Sequence, residues 1–470
     1  MKHKYLPLLI AAALGAMSAS AMASGYRFGS QSVSGQGTAD ANSAEAADAS
    51  TIFYNPAGLS RLDGTQIDLG ATVLVPHSTF NDTGSTRFTG TPTGGTAAHD
   101  YAPDSVTAPS AYFSHKIDEQ WAVGFGLFVP YGAKLDYGNT WTGRYSLTNI
   151  KLEAVTLNPS VSFKVNEHHA FGFGIDAERM TANLGQAVDT PGAVAALSSS
   201  PVGAALVKQI VALGGNPAAL GAVQDGHGSE DGKDWGYGFN LGYLYTLDQN
   251  TRFGIAYRSS IVHQLKGGAV WDFSQVTTDP IVNHILAAAS NRANSAALVS
   301  LRTPETLSFN GFHTIDAKWD VMGDLTWTRN SRMSDLNIQF PGTIEGDEVI
   351  RQQWKNTYRL SLGANYHYSD VLTLRGGIAY DQAPVRDDQL THPALPDSDR
   401  TQLSFGANYK FSAHSSIDLA YSYLSFKDAT TDYSNACSPL TSTCTGNGET
   451  TRGVYQTHMQ LLGLAYNYKF

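Results

Sequence analysis

The feature that most constrains this chain is a strict alternation of short and long connections between segments of period-two hydrophobicity. Fourteen such segments lie near 65–80, 105–117, 121–137, 149–166, 170–184, 234–247, 251–273, 302–316, 319–342, 350–368, 371–383, 401–412, 415–428 and 453–470. Tight turns such as Asp118-Glu119-Gln120, Asn166 to His169, Asp248-Gln249-Asn250, Ser369-Asp370 and Ala413-His414 join some of them. Long loops at 81–104, 185–233, 274–301, 384–400 and 429–452 join the others. Successive antiparallel strands with all their short turns at one end produce this order, and an even count puts both ends of the strand array on one side.

Each segment has one apolar or aromatic face. Trp235, Tyr237, Phe239, Leu241, Tyr243 and Tyr245 alternate with Gly236, Gly238, Asn240 and Gly242. Leu462, Leu464, Tyr466, Tyr468 and Phe470 stand opposite Gly463, Asn467 and Lys469. A soluble sandwich has the same period, but its outer face should carry more charge than a chain with 15% charged residues provides. Beyond the first 23 residues no stretch has 18 consecutive apolar residues, so spanning helices are excluded. Lipid offers no partner to an open sheet edge, so such a sheet must close. The expected fold is all-β, a fourteen-stranded antiparallel transmembrane β-barrel.

The N-terminus reads as a secretory signal over residues 1–23. Lys2 and Lys4 precede an apolar run from Leu6 to Met17, and Ala21-Met22-Ala23 is a small-x-small cleavage site. Without those two lysines the 31 basic residues fall to 29 against 41 acidic ones, and the net charge moves from −10 to −12. That balance argues against nucleic acid as a partner.

Residues 24–64 are rich in Gly, Ser, Gln and Asp and cannot build a core of their own, which by composition alone admits a disordered tail. Ile52, Phe53, Tyr54 and Leu59 instead call for something to pack against, and a hatch, or plug, inside a wide polar lumen meets both demands. The barrel then occupies 65–470. Its loops 185–233 and 274–301 carry helix-like apolar residues, including Leu206, Ile210, Ile281 and Ile285, which either pack on each other or present an apolar landing surface. Lumen-side charges at Asp176, Glu178, Arg258, Asp324, Arg359, Arg375 and Lys410 either pair across the lumen or bind a carboxylate head group.

Cys437 and Cys444 share a Ser/Thr/Gly-rich loop and are placed for a local disulfide in an oxidising compartment; two thiols without a nearby His are a poor zinc site. Neither G-x-S-x-G nor H-E-x-x-H occurs, and His168-His169 lacks further ligands. No catalytic residue, cofactor or metal is expected.

Asn55-Pro56-Ala57, the strand count and the two helical loops together resemble the FadL/TodX family of outer-membrane transporters for hydrophobic compounds. Gln353-Trp354-Lys355-Asn356-Thr357-Tyr358-Arg359-Leu360, Arg375-Gly376-Gly377-Ile378-Ala379-Tyr380-Asp381 and Pro396-Asp397-Ser398-Asp399-Arg400 are similar to its long-chain fatty acid branch. The resemblance implies a monomer in the outer membrane of a Gram-negative bacterium, with terminal Phe470 read by the barrel-assembly machinery. It implies passive capture of a hydrophobic ligand between the two loops and transfer to a pocket beside Tyr26 and Phe28. Release is then lateral, at a kink in the third strand corresponding to Val129, Pro130, Tyr131 and Gly132, with the Asn55-Pro56-Ala57 hatch packed against the gap. Pro130, which lacks a ladder donor, and Gly132 make a broken strand independently reasonable. Lys355 and Arg179 are the basic groups expected to meet a carboxylate, with Gln186 standing where the branch has an arginine. That glutamine keeps neutral aromatic or aliphatic hydrocarbons open as cargo. A plugged surface-binding or adhesion barrel is the third reading.

Overall fold

The computed structural model describes residues 27–102, 105–435 and 446–470. The signal segment, Tyr26, Cys437 and Cys444 lie outside them. The staves are β1 (Thr65–Asp82), β2 (Val106–Lys116), β3 (Trp121–Asp136), β4 (Asn149–Lys164), β5 (His169–Val188), β6 (Gly226–Thr246), β7 (Thr251–Arg258 and Val262–Asp272), β8 (Ser295–Arg302 and Thr306–Thr314) and β9 (Trp319–Thr328 and Asp335–Gln339). They continue as β10 (Glu348–Arg351 and Thr357–His367), β11 (Leu372–Asp381), β12 (Arg400–Lys410), β13 (Ser415–Phe426 and Ala429–Ser434) and β14 (Thr450–Lys469). Each pairs antiparallel with the next, and β14 pairs with β1 from Gln66↔Lys469 to Asp82↔Gly453, which closes the sheet. The barrel has fourteen strands, as the segment count predicts.

Parity decides what each side chain meets. On β5, Phe171, Phe173 and Ile175 are exposed on the outer wall while Gly172, Gly174, Asp176 and Glu178 are buried toward the lumen. The short turns are held by acidic or amide side chains reaching two and three residues on. Asp118 accepts from the Gln120 and Trp121 amides, Asp248 from Asn250 and Thr251, and Asp316 from Lys318 and Trp319, all within 2.9 Å.

Several staves differ from the expected extents. β6 begins at Gly226 rather than near 234, although Gly226 to Asp234 lacks an apolar alternation. Its backbone pairs with β5 on one side and β7 on the other, and that tertiary pairing overrides composition. β8 begins at Ser295, so the second helical loop is shorter than 274–301. β7 breaks at residues 259–261, and its inward positions change from even (Arg252, Ala256) to odd (His263, Leu265).

Residues 27–64 lie within the barrel, and nearly all of Ser30 to Asn55 is buried. Helix α1 (Val33–Gly37) starts at Ser32, whose hydroxyl accepts from the Gly35 amide at 3.0 Å. Helix α2 (Thr51–Tyr54) leads into Asn55, whose side chain accepts from the Ala57 amide at 3.1 Å and begins a 3-10 turn, Pro56–Arg61. The wall makes room with glycines. A Cβ on Gly377 would sit 2.3 Å from the Thr38 carbonyl carbon, and one on Gly172 would sit 2.2 Å from the Ala57 nitrogen.

Candidate functional site

At the plugged end the lumen is polar and dense with ion pairs and hydrogen bonds. Arg375 pairs with Asp418, Arg258 with Asp176 and the Phe53 carbonyl, and Arg359 with Asp40 of the plug at 3.0 Å. Arg252 donates to the Ala44 and Glu45 carbonyls, and Asp324 accepts from Ser43 at 3.0 Å. Lys410, at the open mouth, is exposed. These contacts hold the plug from every side.

The Asn55-Pro56-Ala57 hatch is not packed against the third strand. Asn55 donates to the Tyr243 carbonyl at 3.1 Å, and the motif rests on Gly172, Gly242 and Gly254 of β5, β6 and β7. The residues just before it meet the third strand instead. Ile52 lies over Gly124 and Gly126, and Phe53 packs edge-on against Phe128 at 5.0 Å. The motif's own bend turns it toward the other wall, which linear position does not reveal.

The third strand is broken where expected. β3 pairs with β4 through Phe128, then Val129 and Pro130 together oppose one residue before Tyr131 resumes the ladder. That is a bulge, and residues Phe128 to Ala133 are all buried, so this part of β3 bends into the lumen. On its other side β3 pairs with β2 only from Ala111↔Leu127 down to Lys116↔Ala122. Above that point β2 stays with β1, and the β2–β3 ladder stops. The freed backbone is taken up by the N-terminal segment: the Phe28 amide donates to the Pro130 carbonyl at 2.7 Å, and the Gln31 side chain bonds both the amide and the carbonyl of Val129. Gln31 is a structural key that its Gly/Ser/Gln-rich surroundings conceal. Around the interruption Phe28, Val106, Ala108, Val129, Leu424 and Leu461 form one apolar cluster.

Above the plug the lumen is apolar. Tyr131, Tyr137, Trp141, Ile150, Leu152, Met180, Leu265, Leu301 and Trp354 belong to one buried cluster, with Tyr137 stacked on Trp141 at 4.1 Å. A second cluster lies between the loops. Helix α4 (Pro201–Ala212) contributes Ile210 and helix α5 (Pro280–Ala289) contributes Val282, Ile285 and Leu286, packed with Trp271, Phe273, Ile338 and Phe340, while helix α3 (Thr190–Leu197) lays Val194 against them. Val299 touches both clusters. The other face of α4 is bare: Val202 is 62% exposed and Val211 59%. The loop helices therefore pack on each other and also present an apolar surface.

Neither of the two basic residues expected to meet a carboxylate is buried in the lumen. Arg179 follows inward-facing Glu178 and shares the outer face with Trp235. Lys355 follows buried Trp354 in the break of β10 and is exposed, its amide donating to the Pro384 carbonyl. A one-residue step along a strand reverses the face, which sets Arg179 outward, whereas Lys355 stands exposed outside any strand. Gln186 faces in and donates to Glu348 at 2.6 Å. At the loop end Arg292 is buried over the Trp271 ring at 5.1 Å. Burial pushes Glu345 up to about 7 and raises Glu449, and it lowers Arg292 despite the surrounding glutamates. Among the described residues no group of three or more His, Cys, Asp or Glu is arranged to hold a metal ion.

These features recur in known proteins. A family model described as outer membrane protein transport protein (OMPP1/FadL/TodX) matches residues 14–470. The Neisseria meningitidis serogroup B protein NMB0088 is 35% identical, covering 96% of each chain. The long-chain fatty acid transport protein of Escherichia coli K12 is 28% identical over 88% of this chain and 91% of its own. The crystal structure of a Pseudomonas aeruginosa FadL homologue, 24% identical, superposes with a TM-score of 0.81, covering 95% of this chain and 99% of the other. With its closed barrel, lumenal plug and apolar lumen, this chain belongs to the OMPP1/FadL/TodX family of outer-membrane transport proteins for hydrophobic compounds.

Proposed function

We propose that this protein carries long-chain fatty acids and similar apolar-tailed molecules passively across the outer membrane and releases them sideways between β2 and β3. The observation that carries this reading is the interrupted β2–β3 ladder, lined by Phe28, Val106, Ala108 and Val129 and continuous with an apolar lumen through Tyr131. An acyl chain gains about 0.8 kcal/mol per methylene buried in an apolar medium. A route from the loop groove through the upper lumen into lipid keeps that gain and avoids the plug, whose ion pairs need not break. The named activity of the E. coli relative supports the fatty acid assignment. The exposure of Lys355 and Arg179 favours a second reading, in which the cargo is neutral. The continuous β1–β14 seam supports a monomer, since the sheet closes on itself there.

The test is Ala108→Cys with Val129→Cys in a strain deleted for its own transporter. Uptake of labelled oleate should stop when the pair is oxidised and return on reduction, with each single variant unaffected. Undiminished uptake through the locked protein would rule out lateral release. Toluene or hexadecane entry without oleate entry would move the assignment to neutral hydrocarbons.

A further inference from the structure

At the short-turn end of the barrel a cavity of about 510 Å³ lies between the plug and the wall. It reaches the tight turn at Ser412 to His414, so ions have a way in from that end. Four carboxyl groups border it: Glu45 and Asp48 from the plug, Asp68 from β1 and Asp418 from β13. Arg375 is the guanidinium among them; it pairs with Asp418 and also acts on Glu45 and Asp48. Lys410 and Lys469 line the rim and are exposed, and neither is among the charges acting on Asp68 or Glu45. Of the two histidines on the lining, His367 pairs with Asp320 and His414 bonds the Lys469 carbonyl.

Three of the four carboxyls are bonded. Asp418 has Arg375, Glu45 accepts from Asn365 at 2.8 Å, and Asp48 accepts from the Ser34 hydroxyl at 2.6 Å and the Ser50 amide at 2.9 Å. Asp68 differs. It is 2% exposed, its Oδ1 has no hydrogen-bond partner, and the charges that act on it most are Asp48 and Asp418, with Arg375 weaker. Directly across the ladder stands Asn467. Its amide nitrogen donates to Asp418, which fixes the orientation, and its Oδ1 is left without a partner. A charged oxygen and a neutral one thus border the same cavity on adjacent strands, both unbonded. Leaving a buried charge uncompensated is costly, and one guanidinium cannot offset four carboxylates.

We infer that a hydrated divalent cation of the Mg²⁺ or Ca²⁺ class binds here and ties the plug to the wall, with Asp68 and Asn467 Oδ1 as the wall oxygens and Asp48 as the plug oxygen. Hard cations take oxygen donors, and Mg²⁺ keeps several waters while using only one or two carboxylates, so no cage of three acidic side chains is needed. Six waters at ~30 Å³ each take about 180 Å³, which the cavity accommodates. The site straddles the β1–β14 seam, so the ion joins the first strand, the last strand and the plug at the place where the barrel closes.

The experiment uses the full-length protein refolded in detergent without lipopolysaccharide, stripped with EDTA, at neutral pH. Millimolar Ca²⁺ or Mg²⁺ should raise the thermal midpoint by about 2 °C or more, and NaCl at the same ionic strength should not. Equilibrium dialysis with labelled Ca²⁺ should find saturable binding. Asp68→Asn should weaken that binding about tenfold or more and lose the midpoint rise, because a charged ligand is gone. Its midpoint in EDTA should stay at or above that of the parent protein, because a buried charge has been removed. Asp48→Asn should weaken binding as well, and it carries the test if Asp68→Asn does not refold. Glu119→Gln, at an exposed turn, should keep both the binding and the midpoint rise. A midpoint that follows ionic strength alone, or Ca²⁺ binding unchanged in Asp68→Asn and Asp48→Asn, would overturn the site. So would a midpoint in EDTA that climbs as pH falls and ignores Ca²⁺, which would assign the surplus charge to bound protons.

Discussion

The two halves of the lumen are built from the same staves and do opposite things. Around the plug, inward positions are glycine, asparagine and paired ions, most of them bonded to the plug or to the next strand. Above it, inward positions are Ile150, Leu152, Leu265, Leu301 and large aromatics, with few polar bonds among them. Directional bonds specify one arrangement and make the lower half a fixed stopper. Non-directional apolar contacts tolerate replacement by a guest of the same polarity, so the upper half can exchange its own contacts for cargo. A transporter needs both: a seal that does not leak and a lining that does not grip.

The sharpest way to break this contrast is Arg375→Met. It strands buried Asp418 beside the plug and should cost about 3–5 kcal/mol of stability, seen as a large fall in thermal midpoint in detergent. Adding Asp418→Leu should recover most of it without changing cargo affinity. Next comes Gly172→Ala, whose new Cβ would meet hatch backbone; it should cost about 3 kcal/mol, the upper end of overpacking. Gly376→Ala, with nothing within 4 Å, is the control and should stay within about 0.5 kcal/mol. In the upper half Leu265→Ala should cost about 2 kcal/mol, the low end for a buried leucine because the site already borders a cavity. Unlike the lower-half variants, it should weaken cargo binding.

A pH effect concerns residues 382–399, whose Ala394 and Leu395 cover the apolar lumen cluster. Burial pushes His392, which packs edge-on to Tyr433, from 6.5 down to about 3. The folded cover stays unprotonated where the opened chain takes up a proton. Its stability is therefore full above pH 6.5 and falls as pH drops toward about 3. Hydrogen exchange across residues 382–399 should quicken over that window, and His392→Gln should flatten the dependence.

Much of the barrel was legible because a strand's period is two and its turns have chemistry. Asp118, Asp248 and Asp316 mark three tight turns by the bonds their carboxylates make, and Phe171 to Glu178 displays both wall faces in eight residues. Single-residue roles were less legible. Lys355 and Arg179 sit in stretches where breaks or neighbours decide the face, and a parity error of one residue moves a side chain from lumen to lipid. The strand at Gly226 to Asp234 was missed because that polar run lacks alternation and becomes strand only through pairing on both sides.

By itself, then, the sequence determined the closed sheet, its fourteen staves, the long-loop end and the polar segment destined for the lumen. These follow from local periodicity, turn residues and the requirement that lipid-exposed backbone be paired. Tertiary structure alone decided that the hatch leans on β5 to β7 and that Gln31 takes over the backbone freed by the β3 bulge. Each of those depends on which residues from distant staves meet across an enclosed space, and no local pattern encodes that meeting.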